Sequence, residues 1–199
     1  MDKQQLQDLY SKKEYYWGKE PNELTSLVLK YISICYSQGA KLVDLGAGEG
    51  RDAVFFAKEG LDVLAVDIAP AGLEKAHKLA SEVGTTINTL EAEINNLVLS
   101  EQFNIIYSIG TLQYIEPQYR ERQFEHLKNQ TIPGGLNVMC TFVKHPQVDI
   151  APDWGRNEYL YKREELQGYY LDWEMLYSNE FIFMTIKLNQ ELLLTREHM

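Results

Sequence analysis

A short apolar stretch followed by a glycine at every second position is the most informative feature of the sequence. Leu42 to Leu45 form the apolar stretch, Gly46, Gly48 and Gly50 follow, and a helical pattern begins directly after them. Glycine tolerates positive φ and lets a ligand lie against the main chain where a Cβ would block it. This pattern predicts a strand, a tight turn and a helix N-terminus that together bind a nucleotide-like cofactor.

The spacing of these glycines separates two kinds of nucleotide site. A dinucleotide site reads G-x-G-x-x-G, whereas this loop reads G-x-G-x-G and has Arg51 in the place of the third glycine. Asp44, just before the loop, can accept a hydrogen bond from a cationic amino group, which suits a ligand without phosphates. Asp67 ends the next apolar stretch, 21 residues beyond Gly46, near the roughly 20-residue spacing at which an acidic side chain reaches ribose hydroxyls.

Four motifs in order resemble those of class I S-adenosylmethionine-dependent methyltransferases. They are Asp44–Gly50, Val63–Ile68, Phe103–Gly110 and the Pro133–Gly135 turn. The resemblance implies an α/β, Rossmann-like class I methyltransferase fold with helices on both faces of a seven-stranded, mostly parallel sheet. The implied strand order is 3-2-1-4-5-7-6, with the last strand antiparallel.

The same resemblance gives the expected organisation of the chain as one domain, residues 1–199. Residues 1–40 are expected to form an N-terminal lid and helix, residues 41–143 the cofactor-binding core, and residues 144–199 a substrate-covering loop and the C-terminal strands. Strand six is expected at Trp173 to Tyr177 and strand seven within Phe181 to Leu194.

S-adenosylmethionine is the cofactor that the resemblance implies, with S-adenosylhomocysteine as the product. In the family an acidic residue after strand three accepts from the adenine amino group and an apolar neighbour packs on the ring, and Glu93 and Ile94 hold those positions. The aromatic cluster around Tyr16 either covers the cofactor, where rings attract a sulfonium, or packs on the core. The predicted cofactor-binding residues are Tyr16, Asp44, Gly46, Ala47, Gly48, Gly50, Asp67, Ile68, Glu93, Ile94 and Ser108.

Both ends of the chain are similar to the tellurite-resistance methyltransferase family. The matching stretches are Tyr16–Asn22, Gly48–Asp52, Tyr159–Leu166 and Trp173–Tyr177. Members of that family use S-adenosylmethionine to methylate tellurite and related chalcogen oxyanions, so the resemblance implies a small-molecule acceptor of that kind. The expected reaction is in-line displacement at the sulfonium methyl, in which alignment in a dry pocket provides most of the acceleration.

Three residues are predicted to be catalytic. Arg51 opens a helix beside the glycine loop, where backbone N–H groups also favour anions. It would attract the acceptor or the cofactor carboxylate, or form only a surface salt bridge. Tyr114 follows strand four and His145 follows strand five, at the edge where ligands bind in open α/β sheets. A general base is required only if the acceptor must lose a proton.

Composition and charge narrow the possible partners. The net charge of −10 and the absence of any basic run argue against nucleic-acid binding, which needs clustered Lys and Arg. No apolar run approaches the ~18 residues of a membrane span, and the N-terminus lacks an apolar signal region. We therefore expect a cytoplasmic monomer or homodimer with a small-molecule methyl acceptor, no membrane partner and no metal.

Two other functions are compatible with the motifs. An NAD-dependent oxidoreductase shares the strand, loop, helix and distal aspartate, although the glycine spacing favours S-adenosylmethionine. A module that binds S-adenosylmethionine or S-adenosylhomocysteine without catalysis is also compatible, because class I folds share no universal catalytic side chain.

Overall fold

The computed structural model describes residues 1–35, 39–146, 158–180, 182–188 and 191–197. The chain divides into two compact units, residues 1–169 and residues 170–199. The predicted substrate-covering loop falls mainly on residues 147–157, which lie outside the described residues.

Five parallel strands form the sheet of the first unit. They are β1 (Lys41–Leu45), β2 (Asp62–Asp67), β3 (Asn88–Glu91), β4 (Phe103–Ile109) and β5 (Thr131–Cys140). Their order is β3-β2-β1-β4-β5, as predicted for the first five strands. The direction of the order reverses between β1 and β4, and in open α/β sheets ligands bind in the crevice at such a point, outside the carboxyl ends of the strands.

Within the residues that the structure describes, six helices accompany these strands. They are α1 (Lys3–Tyr10), α2 (Leu24–Cys35), α3 (Arg51–Lys58), α4 (Pro70–Glu82), α5 (Pro117–Asn129) and α6 (Glu165–Gly168), with single 3₁₀ turns at Ile94–Asn96 and Leu112–Tyr114. The prolines that open α4 and α5 occupy the first turn, where a missing N–H costs nothing. Within the described ranges no helix has the length and apolar character needed to cross a bilayer.

Two apolar clusters cover the two faces of the sheet. Leu42 packs with Phe56 of α3 and Ala76 of α4 on one face, whereas the next residue, Val43, packs with Leu127 of α5 on the other. Successive side chains of a strand point to opposite faces, so a strand covered on both sides reads as a continuous apolar run. This explains why β1 was recognisable in the sequence.

The N-terminal helix α1 lies at the carboxyl ends of β2 and β3. Lys3 pairs with Glu91, the last residue of β3, at 2.5 Å, and Gln7 Oε1 accepts from the N–H of Ala71 at the start of α4. Tyr10 packs with Ala71 and its neighbours in a small apolar cluster. The edge of the sheet that was predicted to bind the cofactor is therefore covered by this helix.

The predicted seven-stranded sheet is wrong for the described residues. Strands β6 (Ile182–Leu188) and β7 (Glu191–Glu197) form a separate antiparallel pair in the second unit. Two residues separate them in the sequence, which suffices for an antiparallel neighbour but not for the crossover that a parallel pair needs. Residues 173–177, expected as strand six, contain no strand, because the N–H of Trp173 donates to Tyr170 O in a turn and the two rings make an edge contact at 5.5 Å.

Candidate functional site at the carboxyl edge of the sheet

The glycine loop is fixed by contacts that only glycine permits. Gly46, Gly48 and Gly50 all have positive φ, between +55° and +85°. A Cβ on Gly46 would lie 1.7 Å from Thr111 Oγ1, far inside contact distance. The N–H groups of Gly46 and Ala47 both donate to a carbonyl at the end of β2, at 2.7 and 2.9 Å. The loop is therefore held in one fixed conformation, with neighbouring side chains packed closely against its main chain.

Asp67 connects the end of β2 to this loop. Its two carboxylate oxygens accept from the N–H groups of Gly48 and Ala69, each at 2.8 Å. Burial raises the pKa of Asp67, and the backbone N–H groups of Ala69, Gly48 and Ile68 partly offset that shift by favouring the charged form. Ile68 is half-buried beside it. The ribose role of Asp67 stays a prediction, since both oxygens already hold backbone donors.

A buried cluster of acidic groups lies behind the loop. Asp44 is 3% exposed, and burial raises its pKa well above the usual range, with the charges of Asp52 and Asp67 adding to the shift. Asp52 is the first-turn acid of α3, and its carboxylate accepts from Tyr107 Oη at 2.8 Å and from the Asn22 N–H at 2.7 Å. Buried carboxylates that lie close enough to repel one another favour a cation between or beside them. The sequence identified Asp44, but it did not identify Asp52 or Tyr107 as its neighbours.

Arg51, predicted to be catalytic, contacts the N-terminal segment. Its Nη1 donates to Trp17 O at 3.1 Å, and its Nε lies 3.6 Å from a carboxylate oxygen of Asp52. The positive charge of Arg51 lowers the pKa of Asp44. The guanidinium therefore joins the loop, the N-terminal segment and the acidic cluster.

Aromatic residues of the N-terminal segment cover the loop. A Cβ on Gly48 would lie 3.2 Å from Tyr10 Oη, and Trp17 Nε1 donates to the same hydroxyl at 3.1 Å. Tyr16 stacks edge-on against Trp17 at 4.7 Å and is 48% exposed. The sequence singled out Tyr16 but missed Tyr10. The capping box at the start of α1, in which Asp2 and Gln5 exchange hydrogen bonds, is the signal that could have revealed this helix and its apolar side.

A buried ion pair anchors this covering segment. Glu49, in the glycine loop, accepts from the N–H of Trp17 at 3.1 Å and pairs with Lys75 of α4 at 2.7 Å. The Lys75 ammonium also lies 5.0 Å from the ring centroid of Tyr15. The glycine loop, the N-terminal segment and α4 are thus held together by one set of charged contacts.

The predicted adenine residues lie just after β3. Glu93 Oε1 accepts from the backbone N–H of Asn95 at 3.0 Å and from its Nδ2 at 2.6 Å, so the carboxylate caps its own 3₁₀ turn. Ile94 packs at the border of an apolar cluster. Asn95 Nδ2 also donates to the carbonyl of Tyr114, which links this turn to the end of β4.

Ser108 lies near the end of β4, whereas Tyr114 lies in the 3₁₀ turn that follows it and is half-buried at the carboxyl edge of the sheet. Ser108 is fully buried and its Oγ donates to Leu45 O at 3.2 Å, joining β4 to β1. Tyr114 Oη donates to Glu158 at 2.7 Å and accepts from the amino nitrogen of Met1 at 3.0 Å. Glu158 was not predicted, and no local pattern in the sequence marks it.

His145 lies half-buried after β5, close to a short bridge between Val143 and Tyr161. The bridge belongs to the segment that carries Glu158. This segment is held by Arg120 of α5, which is stacked 3.7 Å from the ring centroid of Tyr161 and pairs with Glu165 at 2.5 Å. The described residues contain no group of three His, Cys, Asp or Glu side chains that could hold a metal ion.

The fold defined by this sheet is the α/β Rossmann-like methyltransferase fold. The chain belongs to the family of the tellurite resistance protein TehB, whose family model matches residues 9–190. The family resemblance predicted from the sequence is therefore confirmed.

Known proteins similar to this chain agree with that membership. A probable S-adenosyl-L-methionine-dependent methyltransferase TehB of Haemophilus influenzae is 26% identical over 177 residues, which cover 86% of this chain and 59% of that protein. A ubiquinone biosynthesis O-methyltransferase of Rickettsia canadensis is 25% identical over 155 residues, 71% of this chain and 64% of that protein.

Among solved structures, TehB from Haemophilus influenzae superposes with a TM-score of 0.68 at 22% identity, covering 96% of this chain and 64% of that one. This likeness concerns the fold. The chain spans 59% of the length of the TehB protein and 64% of that of the O-methyltransferase, less than two thirds of either curated relative.

Proposed function

We propose that residues 1–199 act as a single methyltransferase domain that uses S-adenosylmethionine to methylate a small molecule. The observation that carries this proposal is the buried Asp44 carboxylate beside the glycine loop, with a raised pKa. A carboxylate in that environment favours a cationic ligand, and S-adenosylmethionine carries both an ammonium and a sulfonium. Membership of the TehB family supports the same cofactor.

The residues present fit that cofactor. Asp44, buried beside the glycine loop, would hold the ammonium, and Asp67, bound to the loop through the Gly48 N–H, the ribose. Glu93 and Ile94 would hold the adenine and Tyr16 would cover the cofactor. Ser108, predicted to contact the cofactor, is fully buried and would act only through its bond to Leu45 O. Bound cofactor would supply an electrophilic methyl group that an acceptor lone pair takes as the carbon–sulfur bond breaks and leaves a neutral thioether.

The protein itself would contribute to methyl transfer by aligning the acceptor with the cofactor and by excluding water. Tyr10 and Trp17 lie over the loop, where the Trp17 N–H donates to Glu49 and its Nε1 to Tyr10 Oη, so they would keep solvent from the reacting centre. Arg51, Tyr114 and His145 are proposed to line the methyl-transfer site. Closing a site in this way strengthens the electrostatic interactions within it.

A chalcogen oxyanion such as tellurite is the acceptor we propose to test first, because it gives the family its name. The relatives also include a ubiquinone biosynthesis O-methyltransferase, so hydroxyl acceptors belong in the same panel. The acidic balance of the chain argues for a small acceptor and against nucleic acid.

The experiment is a calorimetric titration followed by an acceptor screen. The purified chain is titrated with S-adenosylmethionine, S-adenosylhomocysteine and NADH, and is then incubated with methyl-labelled cofactor and a panel of tellurite, selenite, thiols, alcohols and amines. We expect binding of the first two ligands and label transfer to at least one acceptor. Preferential binding of NADH would indicate the oxidoreductase, and tight S-adenosylhomocysteine binding with no transfer would indicate a non-catalytic module.

A further inference from the structure

Glu158 and Tyr114 form a fixed pair at the carboxyl end of β4. Tyr114 Oη donates to Glu158 Oε1 at 2.7 Å across 44 residues of sequence. The carbonyl of Tyr114 is held by Asn95 Nδ2 at 3.1 Å. On the other side, the residue after Glu158, Tyr159, donates its N–H to Gln113 O at 2.7 Å. Both members of the pair are thus positioned by the main chain around them.

The pair adjoins the predicted cofactor site. Burial raises the pKa of Tyr114 most, Glu158 raises it further, and the charges on Tyr10 and Asp67 add to the shift. Asp67 is bound to the glycine loop through the Gly48 N–H. The Tyr114 hydroxyl therefore lies within electrostatic reach of the loop, beside the crevice between β1 and β4 where ligands of open α/β sheets bind.

The side chains that raise the pKa of Tyr114 are all acidic groups. Glu158 and Asp67 are both carboxylates, whereas Arg51 is engaged with Trp17 O and lies 3.6 Å from Asp52. A carboxylate accepts hydrogen bonds and repels an anion that has no proton to donate. This end of the site therefore suits an acceptor molecule that carries an N–H or O–H group of its own.

We propose that Glu158 and Tyr114 determine acceptor specificity by binding an N–H or O–H that the acceptor donates. The pair favours amines and singly protonated oxyanions over fully ionised oxyanions. This inference rests on the proposed methyl-transfer function and narrows its acceptor class.

The test compares Glu158→Gln and Tyr114→Phe with Glu125→Gln, which makes the same charge change on the exposed side of α5. Each protein is saturated with S-adenosylhomocysteine and titrated with n-butylamine and with tellurite, in a buffer alkaline enough to ionise tellurite fully. Glu158→Gln should weaken butylamine binding roughly tenfold, the size of one charged hydrogen bond, and leave tellurite binding unchanged or stronger. Tyr114→Phe should weaken butylamine binding by a smaller factor, and Glu125→Gln should change neither affinity.

Transfer of labelled methyl provides the second readout. The ratio of kcat/KM for butylamine to that for tellurite should fall in Glu158→Gln and remain constant in Glu125→Gln. Equal changes for the two probes, or no binding of either probe by the wild-type complex, would overturn the specificity proposal. Failure of the wild-type chain to bind S-adenosylhomocysteine is a different result, which overturns the proposed function itself. Retained S-adenosylhomocysteine affinity in each variant shows that the variant is folded.

Discussion

Replacing Gly46 with alanine is the sharpest test of how the glycine loop is built. Gly46 has φ +79°, and an added Cβ would lie 1.7 Å from Thr111 Oγ1 and 2.6 Å from Thr111 Cβ. The left-handed backbone costs an alanine about 1–2 kcal/mol, and overpacking a tight site costs about 1–3 kcal/mol more. We therefore expect Gly46→Ala to lower the free energy of unfolding by about 2–5 kcal/mol.

Gly84→Ala is the matched control for this variant. Gly84 has φ +75°, close to that of Gly46, but nothing lies within 4 Å of the Cβ that alanine would add. Gly84→Ala should therefore lower the free energy of unfolding only by the cost of the left-handed backbone, about 1–2 kcal/mol. Urea unfolding followed by circular dichroism gives both values, and adding Thr111→Gly to Gly46→Ala should recover part of the overpacking. Equal losses in the two single variants, within about 0.5 kcal/mol, would refute the proposed clash with Thr111.

Three further substitutions test the charged groups around the loop. Asp44→Asn should raise the stability of the unliganded protein at neutral pH, measured by urea unfolding. The reason is that a carboxyl with a raised pKa contributes stability below its unfolded pKa and loses it as pH rises through the folded value. The same variant should bind S-adenosylmethionine more weakly by calorimetry. Tyr107→Phe removes the hydroxyl bound to Asp52 and should cost about 1–3 kcal/mol in urea unfolding. Lys75→Met leaves the buried Glu49 without its ion-pair partner and should cost about 3–5 kcal/mol, most of which the double variant Lys75→Met with Glu49→Gln recovers.

The sequence predicted the parts of the fold that local patterns determine. β1 and β2 are apolar on both faces, and the glycines that follow β1 have few alternative uses, so strand, loop and helix could be assigned from residues 41–67 alone. The order β3-β2-β1-β4-β5 followed from the resemblance. The prediction of a strand at residues 173–177 was wrong. Trp173 is of a residue type that is common in strands, but its N–H donates to Tyr170 O in a turn.

Contacts between distant residues were the main omission at the site. Tyr114 and Glu158 are 44 residues apart, and Tyr107 and Asp52 are 55 apart. Nothing in the spacing of either pair indicates contact, since the pairing depends on how α3, β4 and the segment after β5 meet. Tyr10 differs, because the capping box at Asp2 marks the helix that carries it.

The three buried aspartates at the loop differ in how their charges are compensated. Asp52 accepts from Tyr107 Oη and a backbone N–H, and Asp67 accepts from two backbone N–H groups, so both are held by the fold itself. For Asp44, the Arg51 charge and the Ala53 N–H only partly offset the effect of burial and of the other two carboxylates. We therefore expect a cationic ligand to gain most of its electrostatic attraction from Asp44, the group whose ionisation the unliganded fold disfavours most. Under the proposed function, affinity for the cofactor and stability of the empty protein are opposed at this residue, as is common where a binding site stores unfavourable interactions.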